Sequence, residues 1–102
     1  MDIQAILNTT TPTLEFTSPS EEYGRQGTFS ISLSGMSGMT VAMLRLLPAS
    51  ADANGGGALS EVWVATGDEF SQDAEYSMRS MGSGRLRLKL TGAGPVRVRV
   101  WR

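Results

Sequence analysis

The chain has 102 residues, nine basic and ten acidic side chains, a net charge of −1, and neither histidine nor cysteine. That length suits one domain with one modest core. The missing residue types exclude a disulfide framework, a thiolate metal site, and Ser/His/Asp or Cys/His catalysis, and they argue against an enzyme. The near-zero charge hides a polarity. Residues 1–75 hold all ten acids against Arg25 and Arg45, whereas residues 76–102 hold seven bases and no acid. Acidic loops that neutralise a basic sheet face explain this better than a nucleic-acid footprint, which calls for a basic domain of high pI.

Met1-Asp2-Ile3-Gln4 lacks the positive start of a signal peptide, and no apolar run approaches a membrane span. The expectation is a soluble protein without an export signal. Ile3, Ile6 and Leu7 have the spacing of one helical turn, which the threonine run and Pro12 stop. Residues 1–12 read as a short N-terminal arm outside the core, and residues 13–102 as a single domain. Asn8-Thr9-Thr10 matches a glycosylation sequon, to which no weight is given without a signal peptide.

Thr13–Thr17 alternates Leu14 and Phe16 with polar neighbours and reads as a short edge strand. Pro19 and the residues around it read as loop. Gly27–Gly35 places Phe29, Ile31 and Leu33 on one face and Thr28, Ser30, Ser32 and Ser34 on the other. The hydroxyl face suits either solvent or a flat partner. Met39–Leu47 is almost continuously apolar and fits a strand buried on both faces; periodicity alone leaves a short helix open. Ala49–Ala58, with three consecutive glycines, reads as an exposed loop tip. Ser60–Thr66 sets Val62 and Val64 against Trp63 and Ala65. Phe70 reads as a plug at the core edge, and Tyr76 and Met78 share one side of a further short strand.

Arg85–Arg102 has the strongest pattern. Leu86, Leu88 and Leu90 alternate with Arg85, Arg87 and Lys89; after Thr91–Pro95, Val96, Val98 and Val100 alternate with Arg97, Arg99 and Trp101. Two such runs around a Gly/Pro loop read as a β-hairpin with one apolar and one basic face. The expected fold is all-β: an antiparallel β-sandwich, Ig-like or jelly-roll-like, of about seven strands. Its expected core is Phe29, Ile31, Leu33, Val62, Val64, Leu86, Leu88, Leu90, Val96, Val98 and Val100.

Glu21/Glu22 and Asp68/Glu69, with Asp73 and Glu75 nearby, offer oxygen ligands but lack the alternating spacing of a calcium loop. No catalytic, cofactor or metal residues are assigned. The basic face of Arg85, Arg87, Lys89, Arg97 and Arg99 suits a solvated surface, a docking face for an acidic protein, or phosphate binding. Trp101 is the one aromatic of that parity, which gives phosphate binding little support. The six methionines read mostly as core or turn filler, with adaptable contacts as the alternative for Met36, Met39 and Met81, which are set among glycines and serines.

Taken together, Gly27–Gly35, Thr40–Arg45, Val62-Trp63-Val64, Arg85–Gly92 and Val96–Val100 resemble the small β-sandwich virion proteins of tailed bacteriophages, above all head decoration (cement) proteins. The resemblance covers residues 27–102. It implies a non-enzymatic structural protein on the outer surface of the virion. Its partners would be the major capsid protein and other copies of itself, often as a trimer, with neither membrane nor nucleic acid. Neck, tail and fibre proteins share the sandwich, and a carbohydrate- or cell-surface-binding module is the alternative from another class. The residues expected to meet partners are Ile3, Ile6 and Leu7 of the arm, and Arg85, Arg87, Lys89, Arg97 and Arg99 of the basic face.

Overall fold

Period-two patterns dominate this chain, and strands are what form. The computed structural model describes residues 2–18, 28–50, 60–79 and 84–102, with 47–50, 60 and 61 described for their backbone alone. The described residues form eight strands and no helix. They are β1 (Asp2–Leu7), β2 (Thr13–Thr17), β3 (Thr28–Ser34), β4 (Thr40–Ser50), β5 (Ser60–Phe70), β6 (Ala74–Arg79), β7 (Arg85–Thr91) and β8 (Val96–Trp101).

Two antiparallel four-stranded sheets result. The first has the order β1-β8-β3-β6 and the second β2-β7-β4-β5. The first strand pairs with the last, the second with the seventh, the third with the sixth and the fourth with the fifth. The β3–β8 and β4–β7 ladders complete the sheets. The chain thus behaves as one long hairpin, folded at the β4–β5 connection and rolled into two layers. An eight-stranded, double-sheet arrangement of this kind is a jelly roll.

The inner faces follow the sequence pattern closely. Phe29, Ile31 and Leu33 of β3 and Val96, Val98 and Val100 of β8 meet Leu86, Leu88 and Leu90 of β7, all buried. Phe16, Val41, Met43 and Phe70 complete the layer from the second sheet. Aromatic pairs bridge the two sheets. Phe16 meets Phe29 edge-on at 5.6 Å between centroids, and Phe70 meets Tyr76 at 4.5 Å.

Several expectations need correction. The first concerns the N-terminal arm: residues 2–7 are strand β1, paired with β8 from Asp2↔Trp101 to Leu7↔Val96. Ile3, Ala5 and Leu7 point inward, and Leu7 is only 1% exposed in the core. The helical spacing of Ile3, Ile6 and Leu7 misleads because Ala5, a small inward residue, belongs to the apolar face. Asn8 then turns the chain, its Oδ1 accepting from the backbone N–H groups of Thr10 and Thr11 at 2.9 and 2.8 Å. This Asx turn leads the chain from the first sheet to the second.

The second correction concerns the last two strands, which do not pair. β7 lies inside the second sheet and β8 inside the first. The Thr91–Pro95 link crosses between layers instead of closing a hairpin. Its glycines are needed there: Gly94 has φ +71°, and a Cβ on it would run into the Leu7 carbonyl and approach the Asn8 Cα to 2.9 Å.

The third concerns Val62 and Val64. They have inward parity, yet Val62 is 49% exposed and Val64 half-buried. The β4–β7 ladder ends at Arg45↔Leu86, while β4 continues to Ser50 with only β5 beside it. That two-stranded ribbon outruns its own sheet, so its inward side has less to cover it. Arg45, of the same inward parity as Val41 and Met43, is exposed at that end, and β4 is not buried on both faces, since inward Val41 and Met43 are buried while outward Ala42 and Leu44 are half-buried. Of the two readings for Met36, core filler and adaptable contact, the first holds, since Met36 is buried, and the Met39 sulfur accepts from the Gly94 N–H at 3.0 Å. Of the loop tip expected at Ala49–Ala58, Ala49 and Ser50 belong to β4, whose pairing with β5 reaches Ser50↔Ser60, while residues 51–58, and Pro19, Glu21, Glu22, Arg25 and Met81, lie outside the described residues.

Candidate partner-binding site

Because β7 and β8 belong to different sheets, the basic side chains read as one face are divided. Arg85, Arg87 and Lys89 point outward from the second sheet. Arg97 and Arg99 point outward from the first, on the opposite side of the molecule. The period of each strand is as expected; the face they were thought to share does not exist.

On the second sheet, Glu15 of edge strand β2 lies opposite Arg87. Its Oε2 accepts from Arg85 Nη2 at 2.6 Å, and its Oε1 accepts from Arg87 Nε at 3.1 Å and also from Arg87 Nη2. The hydrogen bond from Arg87 holds the Glu15 carboxyl below its ordinary value, helped by the charges of Arg87 and Arg85. The same Arg87 guanidinium lies 4.1 Å from the centre of the Trp63 ring on β5. Two of the three bases here are therefore engaged within the fold. Lys89 is exposed and has no ion pair among the described residues.

On the first sheet, three rows of outward side chains cross the strands. Asp2, Trp101, Ser30 and Ser77 form one, and Gln4, Arg99, Ser32 and Glu75 the next. Ile6, Arg97 and Ser34 form the third. The Arg99 Nε and Nη2 each donate to Asp2 at 3.1 Å, and its guanidinium lies 4.8 Å from the Trp101 ring centre. That contact, chiefly through its hydrogen bond, holds the Asp2 carboxyl below its ordinary value and the Arg99 guanidinium above its own. Arg97 has no comparable partner among the described residues. Ile6 beside it is 52% exposed.

The expected contact residues thus separate. Leu7 is core, Ile3 packs against the core, and only Ile6 of the three faces outward. Ile6, Arg97 and Arg99 come together on one face, away from Arg85, Arg87 and Lys89. Sequence reasoning missed Gln4 as a member of this face, and it left the hydroxyl row of β3 without neighbours. Only strand order joins Ser32 and Ser34 to the arginines.

Each described tryptophan carries a guanidinium on its ring, so the covered ring face is not open for stacking on a sugar or base. Among the described residues no group of acidic side chains is arranged to hold a metal ion. Asp73 accepts from the Met36 backbone N–H at 2.7 Å, tying two chain segments 37 residues apart, and Asp68 accepts from the Thr66 hydroxyl at 3.0 Å within β5, so both carboxylates are occupied inside the fold. Among the described residues no helix is long and apolar enough to cross a membrane. No protein-family model matches the chain, and no curated protein matches it. Fold and surface define a class: an eight-stranded jelly-roll domain whose distinctive chemistry lies on an outer sheet face.

Proposed function

We propose that the protein is a non-enzymatic structural virion protein, a decoration protein that binds and stabilises the assembled head of a tailed phage. The observation that carries this reading is the outer face of the first sheet. Short serine side chains on β3 leave an open trough beside the longer side chains of β8 and β1, and Arg97, without an ion pair among the described residues and beside an exposed Ile6, gives this face something to gain from a partner. An open trough that runs on to the end of the sandwich suits a segment of a protein partner better than a small enclosed ligand. The sequence resemblance supplies the virion setting. The fold alone does not, since jelly rolls serve capsids, lectins and enzymes alike.

A ligand that binds only the assembled shell stabilises it by mass action. Co-sedimentation with tailed-phage heads stripped of their outer proteins tests the reading, followed by thermal opening of the loaded heads. The expected result is saturable binding and heads that open at higher temperature. Absence of binding would remove the head assignment and favour a neck or tail position.

A further inference from the structure

A trough of about 620 Å³ runs along the outer face of the first sheet. Gln4 and Ile6 of β1 line one side, Ser32 and Ser34 of β3 the other, with Arg97 and Arg99 of β8 between them. A second depression carries it on past Ile6, Ser34 and Arg97 to Gly35 and Pro95 at the end of the sandwich. The two arginines differ. Arg99 is tied to Asp2 and stacked on Trp101. Arg97 makes no ion pair, side-chain hydrogen bond or ring contact among the described residues.

We propose that this trough binds an extended segment of a partner protein that carries one acidic residue, with its carboxylate on Arg97 and an apolar side chain two residues away on Ile6. A guanidinium offers a planar fork that matches a carboxylate with two parallel hydrogen bonds. The Ser32 and Ser34 hydroxyls and the Gln4 amide can both donate and accept, which suits the polar backbone of an extended chain. Charge decides between kinds of anion. Glu75 lies in the Arg99 row and Asp2 is bound to Arg99, so negative charge flanks the far part of the face. A regular polyanion such as nucleic acid would meet these carboxylates within a few units. A peptide with a single acid at Arg97 and neutral residues beyond would not. The apolar surface of Ile6, in the same row as Arg97, calls for an apolar neighbour that a phosphate chain lacks.

This inference takes its setting from the partner-binding reading, but its test needs no phage head, so the two can fail separately. The isotope-labelled full chain is titrated, with amide shifts as readout. The probes are a short serine-based peptide with one glutamate and a valine two residues to either side of it, its lysine counterpart, and single-stranded oligothymidylate. Expected are saturable shifts centred on Gln4, Ile6, Ser32, Ser34 and Arg97 with the glutamate peptide alone. Arg97→Glu should weaken that binding roughly tenfold or more, and Lys89→Glu on the opposite face should leave it unchanged. Both positions are exposed, and the spectra themselves report whether the variants fold. The proposal is overturned by no saturable shift with the glutamate peptide, or by equal affinity in Arg97→Glu. Shifts centred on the second sheet, or tighter binding of oligothymidylate, overturn it as well.

Discussion

Glu15 sits between two guanidiniums, and a pH dependence follows from that contact. Its carboxyl lies below the ordinary 4.5, chiefly through the hydrogen bond from Arg87. The folded state therefore binds fewer protons than the unfolded one around that value. The contribution is fully present above pH 4.5 and is lost as pH falls through the depressed folded value. Thermal melts of the wild type and Glu15→Gln should differ most above pH 4.5 and converge on acidification. A gap that widened in acid would reverse the sign. The pair is partly exposed, so molar salt should shrink the gap. A second residue-scale contrast lies in neighbouring side chains of β1. Leu7→Ala removes a buried side chain and should cost about 2–5 kcal/mol. Ile6→Ser alters a side chain 52% exposed and should stay within about 0.5 kcal/mol. Denaturant midpoints at equal slope measure both, and equal losses would contradict the placement of β1.

At the scale of elements, β1 is an integral strand, and truncation should show it. Deleting residues 2–7 strips six register pairs from β8 and takes Leu7 out of the core. It also turns β8, with its buried valines, into an edge strand. The truncated chain should be strongly destabilised or aggregate, not persist as a folded monomer that has merely lost a partner. A cooperative melt within a few degrees of the wild type would refute this. The strand was hidden in the sequence because Ala5 contributes little hydrophobic signal, which leaves Ile3, Ile6 and Leu7 looking helical. β3 was legible because its inward residues are large and its outward residues polar at every step, and β6 was legible only from Tyr76 onward, its first inward residue, Ala74, being small. β5 was half legible: the parity of Val62 and Val64 is right, but parity says nothing about where the facing sheet ends. The register shift around Gly67, where two positions on β4 match four on β5, leaves no pattern in the hydrophobic residues.

At the scale of the whole molecule, period two assigns each side chain to a face but does not choose the neighbouring strand. Leu86–Leu90 and Val96–Val100 are adjacent in sequence, and a short Gly/Pro link between them favours a hairpin on local grounds. The sandwich wins because each run carries buried apolar residues, and two sheets packed face to face cover both runs at once. The consequence for the candidate site is direct, since a hairpin would gather five bases on one surface while the jelly roll puts them on opposite ones. The two topologies differ in backbone neighbours. In a hairpin turning through residues 91–95, Leu88 would lie across from Val98. In the jelly roll, Val98 lies between Ala5 and Leu33, and Leu88 between Leu14 and Met43. Facing sheets are about 10 Å apart, beyond the reach of backbone proton–proton contacts. Nuclear Overhauser spectra should therefore connect the Val98 backbone to Ala5 and Leu33, and the Leu88 backbone to Leu14 and Met43. A backbone contact between Leu88 and Val98 would restore the hairpin and the single basic face. It would also remove the trough, because Arg97 would then share its surface with Arg87 and Lys89 instead of with Ile6 and Ser34.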